Sequence, residues 1–139
     1  DEYFGHDTIC YKNGNIYYST DMLGEIDAPH SYRIYRYSME NEMSEMLFSF
    51  EVEPDENTFP GNVLSLEVTD NEEIHVYYYS STYDEATESD CKHIDKFVYS
   101  SEGELLSTVS LENDTAISMI TECFSDSEGN IYVNTLSIN

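Results

Sequence analysis

An all-β fold of four-stranded antiparallel units is predicted for this chain, and three observations predict it. The first is composition: thirteen tyrosines, six phenylalanines and little alanine suit strands better than helices. The second is a phrase written twice, Gly14-Asn15-Ile16-Tyr17 and Gly129-Asn130-Ile131-Tyr132, with a looser copy at Glu73-Ile74-His75-Val76. The third is its spacing, since Ile16, Ile74 and Ile131 lie 58 and then 57 residues apart. A fixed period of that size marks a repeated supersecondary unit.

Each unit is read from its turns. Lys12-Asn13-Gly14 separates strands at 7–12 and 15–20, and alternation through Tyr32-Arg33-Ile34-Tyr35-Arg36-Tyr37 marks a third strand at 31–38. A fourth, at 45–52, follows the methionine-rich stretch. Met39, Met43 and Met46 stand at helical spacing, and thioethers are soft ligands for copper(I). The stretch aligns instead with Ser100-Ser101-Glu102-Gly103-Glu104 of the next unit, so a strand–turn–strand is expected. There Ile34 faces Ile94, Arg36 faces Lys96 and Tyr37 faces Phe97, at an offset of 60. The second unit has strands at 62–69, 73–80, 91–99 and 104–111, and a third contributes 116–125 and 130–137. Residues 1–139 form one segment of about two and a half units: 7–52, 62–111 and 116–137.

Charge narrows the partners. Five Lys or Arg stand against 29 Asp or Glu, a net of -24, which repels phosphate backbones and anionic membranes. No stretch approaches the ~18 apolar residues of a membrane helix. Cys10, Cys91 and Cys123 show no paired spacing, which leaves either three thiols or one bridge with one thiol. With no initiator methionine and no signal peptide, the chain reads as an excised or mature piece of an exported protein, placed outside the cell or on its surface.

The phrase Asp126-x-x-Gly129-Asn130-Ile131-Tyr132-Val133 and the phrase Ile94-x-Lys96-Phe97, followed by Gly103 and Leu105, resemble the blades of bacterial β-propellers of the broad NHL-like kind. The resemblance implies an incomplete propeller, completed by further blades of a parent chain or by other chains. Common propeller repeats run ~40–50 residues, so the extra length here is assigned to loops. In such a blade the long loops, 21–30, 52–61 and 81–90, emerge on one face, where binding residues gather.

The candidate ligand-binding residues are Asp21, Glu25, Asp27 and His30 from one loop and Asp84, Glu85, Glu88 and Asp90 from another. Carboxylates so gathered suit calcium, but the spaced cation-loop pattern is missing. Cys91 and His93 are metal-ligand types that lack the partners a zinc site needs. No cofactor is therefore expected. No nucleophile elbow, zinc-protease motif or phosphate loop is present, and no catalytic residue is assigned. Tyr77, Tyr78 and Tyr79 have the faces to stack on a sugar, and in a strand they read as packing. The expected function is a non-catalytic binding module of a secreted or surface-anchored bacterial protein, such as a lipoprotein, for a protein, small-molecule or carbohydrate ligand. The rival is a segment of an enzyme or solute-binding lipoprotein whose chemistry lies in other residues.

Overall fold

The tyrosine-rich alternation folds into three antiparallel sheets. The computed structural model describes residues 2–3, 8–22, 28–54, 57–112 and 119–136, with eleven strands and no helix among them. Strands β1 (Glu2–Tyr3), β2 (Ile9–Lys12), β3 (Asn15–Met22), β4 (His30–Ser38) and β5 (Met43–Val52) make the first sheet. There β1 and β2 lie end to end along one edge of β3, while β4 pairs along the other. The second sheet runs in order β6 (Thr58–Val68), β7 (Ile74–Asp84), β8 (Ser89–Tyr99) and β9 (Leu105–Glu112). A hairpin of β10 (Met119–Ser125) and β11 (Ile131–Leu136) is the third.

The repeated phrase is the first hairpin of each sheet. Asn13 and Gly14 take φ of 49° and 78°, and Gly129 takes 85°, a region that glycine and asparagine enter at least cost. In the third sheet Asp126 organises the turn. Its Oδ1 accepts the Glu128 and Asn130 amides at 2.9 Å, and its Oδ2 accepts Asn130 Nδ2 and the Tyr132 hydroxyl. The Asp126–Asn130 stretch is thus a hairpin turn whose acid is committed to protein donors.

Two expectations need correcting. The span 81–90 is not a long loop: β7 continues to Asp84 and β8 begins at Ser89, leaving a turn at 85–88. Alternating Thr82 and Tyr83 extend the ladder where the acidic composition suggested a loop. Similarly, 52–61 is shortened because β6 starts at Thr58 and runs through Pro60. Proline is tolerated there because β6 is an edge strand and the register shifts at this point. Gly61 belongs to the same irregularity, where a Cβ would lie 1.9 Å from the Tyr79 carbonyl oxygen. The strand β1 was not anticipated, being only two residues long. Residues 39–42 form the expected turn, with Met43 and Met46 exposed on β5.

The middle sheet is buried on both faces. Ile74, Val76 and Tyr78 pack with Tyr17, Tyr32, Ile34 and Phe48 of the first sheet. From the opposite face of the same strand, Tyr77 and Tyr79 pack with Ile120, Cys123, Ile131 and Val133 of the third. Two-sided burial is why β7 reads as a nearly continuous apolar run.

Between sheets, β2 and β3 approach β6, and β10 approaches β6, whereas β4 and β5 come as close to no strand of the next sheet. The contents of the gaps follow. Near the first strands polar contacts join the sheets: Ser65 Oγ donates to the Cys123 carbonyl, and Lys12 reaches Asp70. Farther out, large rings fill the space, with Phe48 stacked on Tyr99 at 4.1 Å and Phe50 against Phe97 at 5.5 Å.

Candidate functional site

Each sheet has two ends, and their chemistry differs. The loop end, beyond Met22 and before His30, carries the first predicted residues. Asp21 faces the middle sheet at the end of β3, with its Oδ1 sealed from solvent and making no hydrogen bond. Burial pushes its carboxyl up to about 6, an effect that His30 only partly opposes. Beneath it three groups close a ring. The Gly61 amide donates to the Tyr78 hydroxyl at 3.0 Å, Tyr78 and Tyr32 hydroxyls meet at 3.2 Å, and Tyr32 donates to the Gly61 carbonyl at 2.7 Å. The ring satisfies the backbone of the β6 irregularity, and burial raises both hydroxyls above their ordinary value.

The structure does not gather the other predicted residues around Asp21. Glu25 and Asp27 lie outside the described residues. Asp84 is part of the β7–β8 turn, where it accepts the Ala86 amide and the Thr87 hydroxyl, each at 2.9 Å. These donors lower its carboxyl below the ordinary value. Glu85, Glu88 and Asp90 are exposed on the same hairpin tip. Cys91 is exposed and free, as Cys10 and Cys123 are also free, and His93 Nε2 is held by Thr82 Oγ1 at 2.7 Å. Among the described residues no three His, Cys, Asp or Glu side chains come together as a metal would require. Tyr77, Tyr78 and Tyr79 pack inside the molecule.

The turn end was not singled out by sequence. An open groove of about 690 Å³ runs between the three sheets, bordered by Cys10, Lys12, Glu67, His75, Lys96 and Ser125 among others. Glu67 is its organising group. Oε1 accepts the Ser125 amide at 2.6 Å, while Oε2 accepts Ser125 Oγ at 2.6 Å and the Tyr77 hydroxyl at 2.9 Å. His75 Nδ1 stands 3.7 Å from the same oxygen, at ion-pair rather than hydrogen-bond distance. Burial alone pushes Glu67 up, but the contacts from His75, Ser125 and Tyr77 together outweigh it and hold the carboxyl at about 2. Lys96 is 9% exposed and lies over the Tyr77 ring, with its ammonium 5.7 Å from the centroid. The signal that points here is the repeat itself. Glu67 and Ser125 are 58 residues apart, about one repeat length, so the stacking of successive units brings them together.

Compared with family models, curated proteins and solved structures, the chain matches none. Its description therefore rests on its own geometry: an all-β chain of antiparallel sheets stacked on a middle sheet buried on both sides.

Proposed function

We propose that this chain is a segment of a β-propeller from a secreted or surface-anchored bacterial protein, and that it serves as a non-catalytic binding module. The radial reading is supported by the gaps between sheets. Units related by rotation come closest at the axis and spread outwards. The close approach of the first strands and the stacked aromatic rings between outer ones suit such a wedge.

The observation that carries the binding half is Asp21. A carboxylate oxygen closed off from water without a hydrogen bond is costly, and a ligand donor or cation at the loop end would relieve it. The test is thermal unfolding with calcium, magnesium, zinc and neutral mono- and disaccharides, on wild-type protein and on Asp21→Asn. At least one ligand raises the wild-type Tm by several degrees and leaves Asp21→Asn unmoved. A flat response across the panel sinks the loop-end reading.

A further inference from the structure

We infer that the groove at the turn end is a second binding site, one that takes a small monocarboxylate on the Lys96 ammonium. It lies at the opposite end of the sheets from Asp21 and stands whether or not the loop end binds a ligand.

The argument is an account of donors and acceptors. The carboxylates of Glu67, Asp70 and Asp126, which border the groove, already accept from protein donors. Glu67 takes Ser125 and Tyr77, Asp70 takes Lys12, and Asp126 takes its own turn. Lys96 is different: it is a cation that no carboxylate of the described residues neutralises. Among the described residues Lys96 has no hydrogen bond or ion pair, only the face of Tyr77. Beside it, His75 Nδ1 is buried without a hydrogen bond. An ammonium carries three donors and no acceptor. The ammonium reaches water at the open side of the groove, and an anion can come to it only from there.

The repeat shows that this deficit is particular to Lys96. Its counterpart in the first unit is Arg36, which faces Glu45 on the neighbouring strand and forms a two-pronged ion pair with it. At the corresponding place opposite Lys96 the second unit has Val109. The cation is kept, buried more deeply and deprived of its carboxylate, and the ligand restores what Glu45 supplies in the first unit.

The surroundings select a single negative charge. Glu67 stays ionised beside the site and the chain carries a net charge of -24, so a phosphate dianion meets about twice the repulsion of a carboxylate. The Tyr77 ring and the Val68 side of the groove favour a ligand with an apolar stem.

The test is a titration of uniformly ¹⁵N-labelled protein with sodium acetate, at ionic strength held constant with chloride and with phosphate run in parallel. Saturable shifts confined to the amides of Glu67, His75, Lys96 and Ser125 are expected. Acetate should bind at least about tenfold more weakly to Lys96→Met, while Lys96→Arg keeps most of the affinity. If Lys96→Met does not fold, the pattern of wild-type shifts decides alone. Shifts scattered over the surface, an equal response to chloride, tighter binding of phosphate or unchanged affinity in Lys96→Met would each overturn the assignment.

Discussion

The two interfaces of the middle sheet join units of one repeat, yet they are built from different chemistry. Towards the first sheet lies an apolar layer of Tyr17, Tyr32, Ile34, Phe48, Ile74, Val76, Tyr78 and Tyr99, joined by Phe50 and Phe97. Towards the third sheet the buried apolar set is Tyr77, Ile94, Ile120 and Cys123, joined by Leu64, Tyr79, Leu111, Ile131 and Val133, and polar groups also bridge it: Glu67, Ser125, Ser65 and Lys96. Area removed from water sets the first interface, at roughly 25 cal/mol per Å² of apolar surface. The second depends on a carboxylate whose oxygens must stay satisfied. One repeat geometry therefore supports both a dry scaffold and a polar groove, because strand pairing fixes position while side chains fix chemistry.

Truncating an isoleucine in each layer breaks the comparison most sharply. Ile34 is fully buried and Ile120 is 8% exposed at the edge of the smaller patch. Ile34→Ala should cost about 4 kcal/mol and Ile120→Ala about 2 kcal/mol, read from urea unfolding at neutral pH. Equal losses would mean that the two layers do not differ in packing. Next in size is Glu67→Ala, which leaves the Ser125 amide and hydroxyl and the Tyr77 hydroxyl without their acceptor, at about 2–3 kcal/mol.

Acid titration separates the same regions with smaller effects. Glu67 is held at about 2 in the folded chain, below its ordinary 4.5. Its contribution is complete above pH 4.5 and is lost as pH falls through 2. Asp21 runs the other way, raised to about 6 from 3.8. Its contribution is complete below pH 3.8 and is lost as pH rises through 6. Stability measured against pH should thus lose its Asp21 component between pH 4 and 6 in the wild type. Asp21→Asn should remove that slope and Glu67→Gln should flatten the acid limb. A slope between pH 4 and 6 that survives in Asp21→Asn would place the titrating group elsewhere.

The sheets were legible in sequence because their turns are strongly marked. Asn13-Gly14 and Asp126 with Gly129 announce hairpins by backbone chemistry alone, and the isoleucine spacing joins the units. The β7–β8 hairpin was misread because Ser81, Thr82 and Asp84 look like a loop by polarity, while their strand character comes from pairing with residues 89–92. The loop-end site was legible only in part. Asp21 is buried at the end of β3 with His30 opening the neighbouring strand, whereas Asp84 serves its own turn and Glu85, Glu88 and Asp90 sit on a hairpin tip. The turn-end groove escaped notice because its residues come from β2, β6, β7, β8 and β10 and from the turns beside them. Glu67, His75 and Lys96 are ordinary strand residues until the stacking of sheets brings them to one place.

That stacking is the central claim, and a double-mutant cycle on Glu67 and Ser125 tests it most directly. The two residues are 58 positions apart and meet only if the second and third sheets pack in this register. With Glu67→Gln, Ser125→Ala and the double variant compared by urea unfolding, a coupling of about 1–2 kcal/mol is expected. Additive losses, with a coupling near zero, would contradict it.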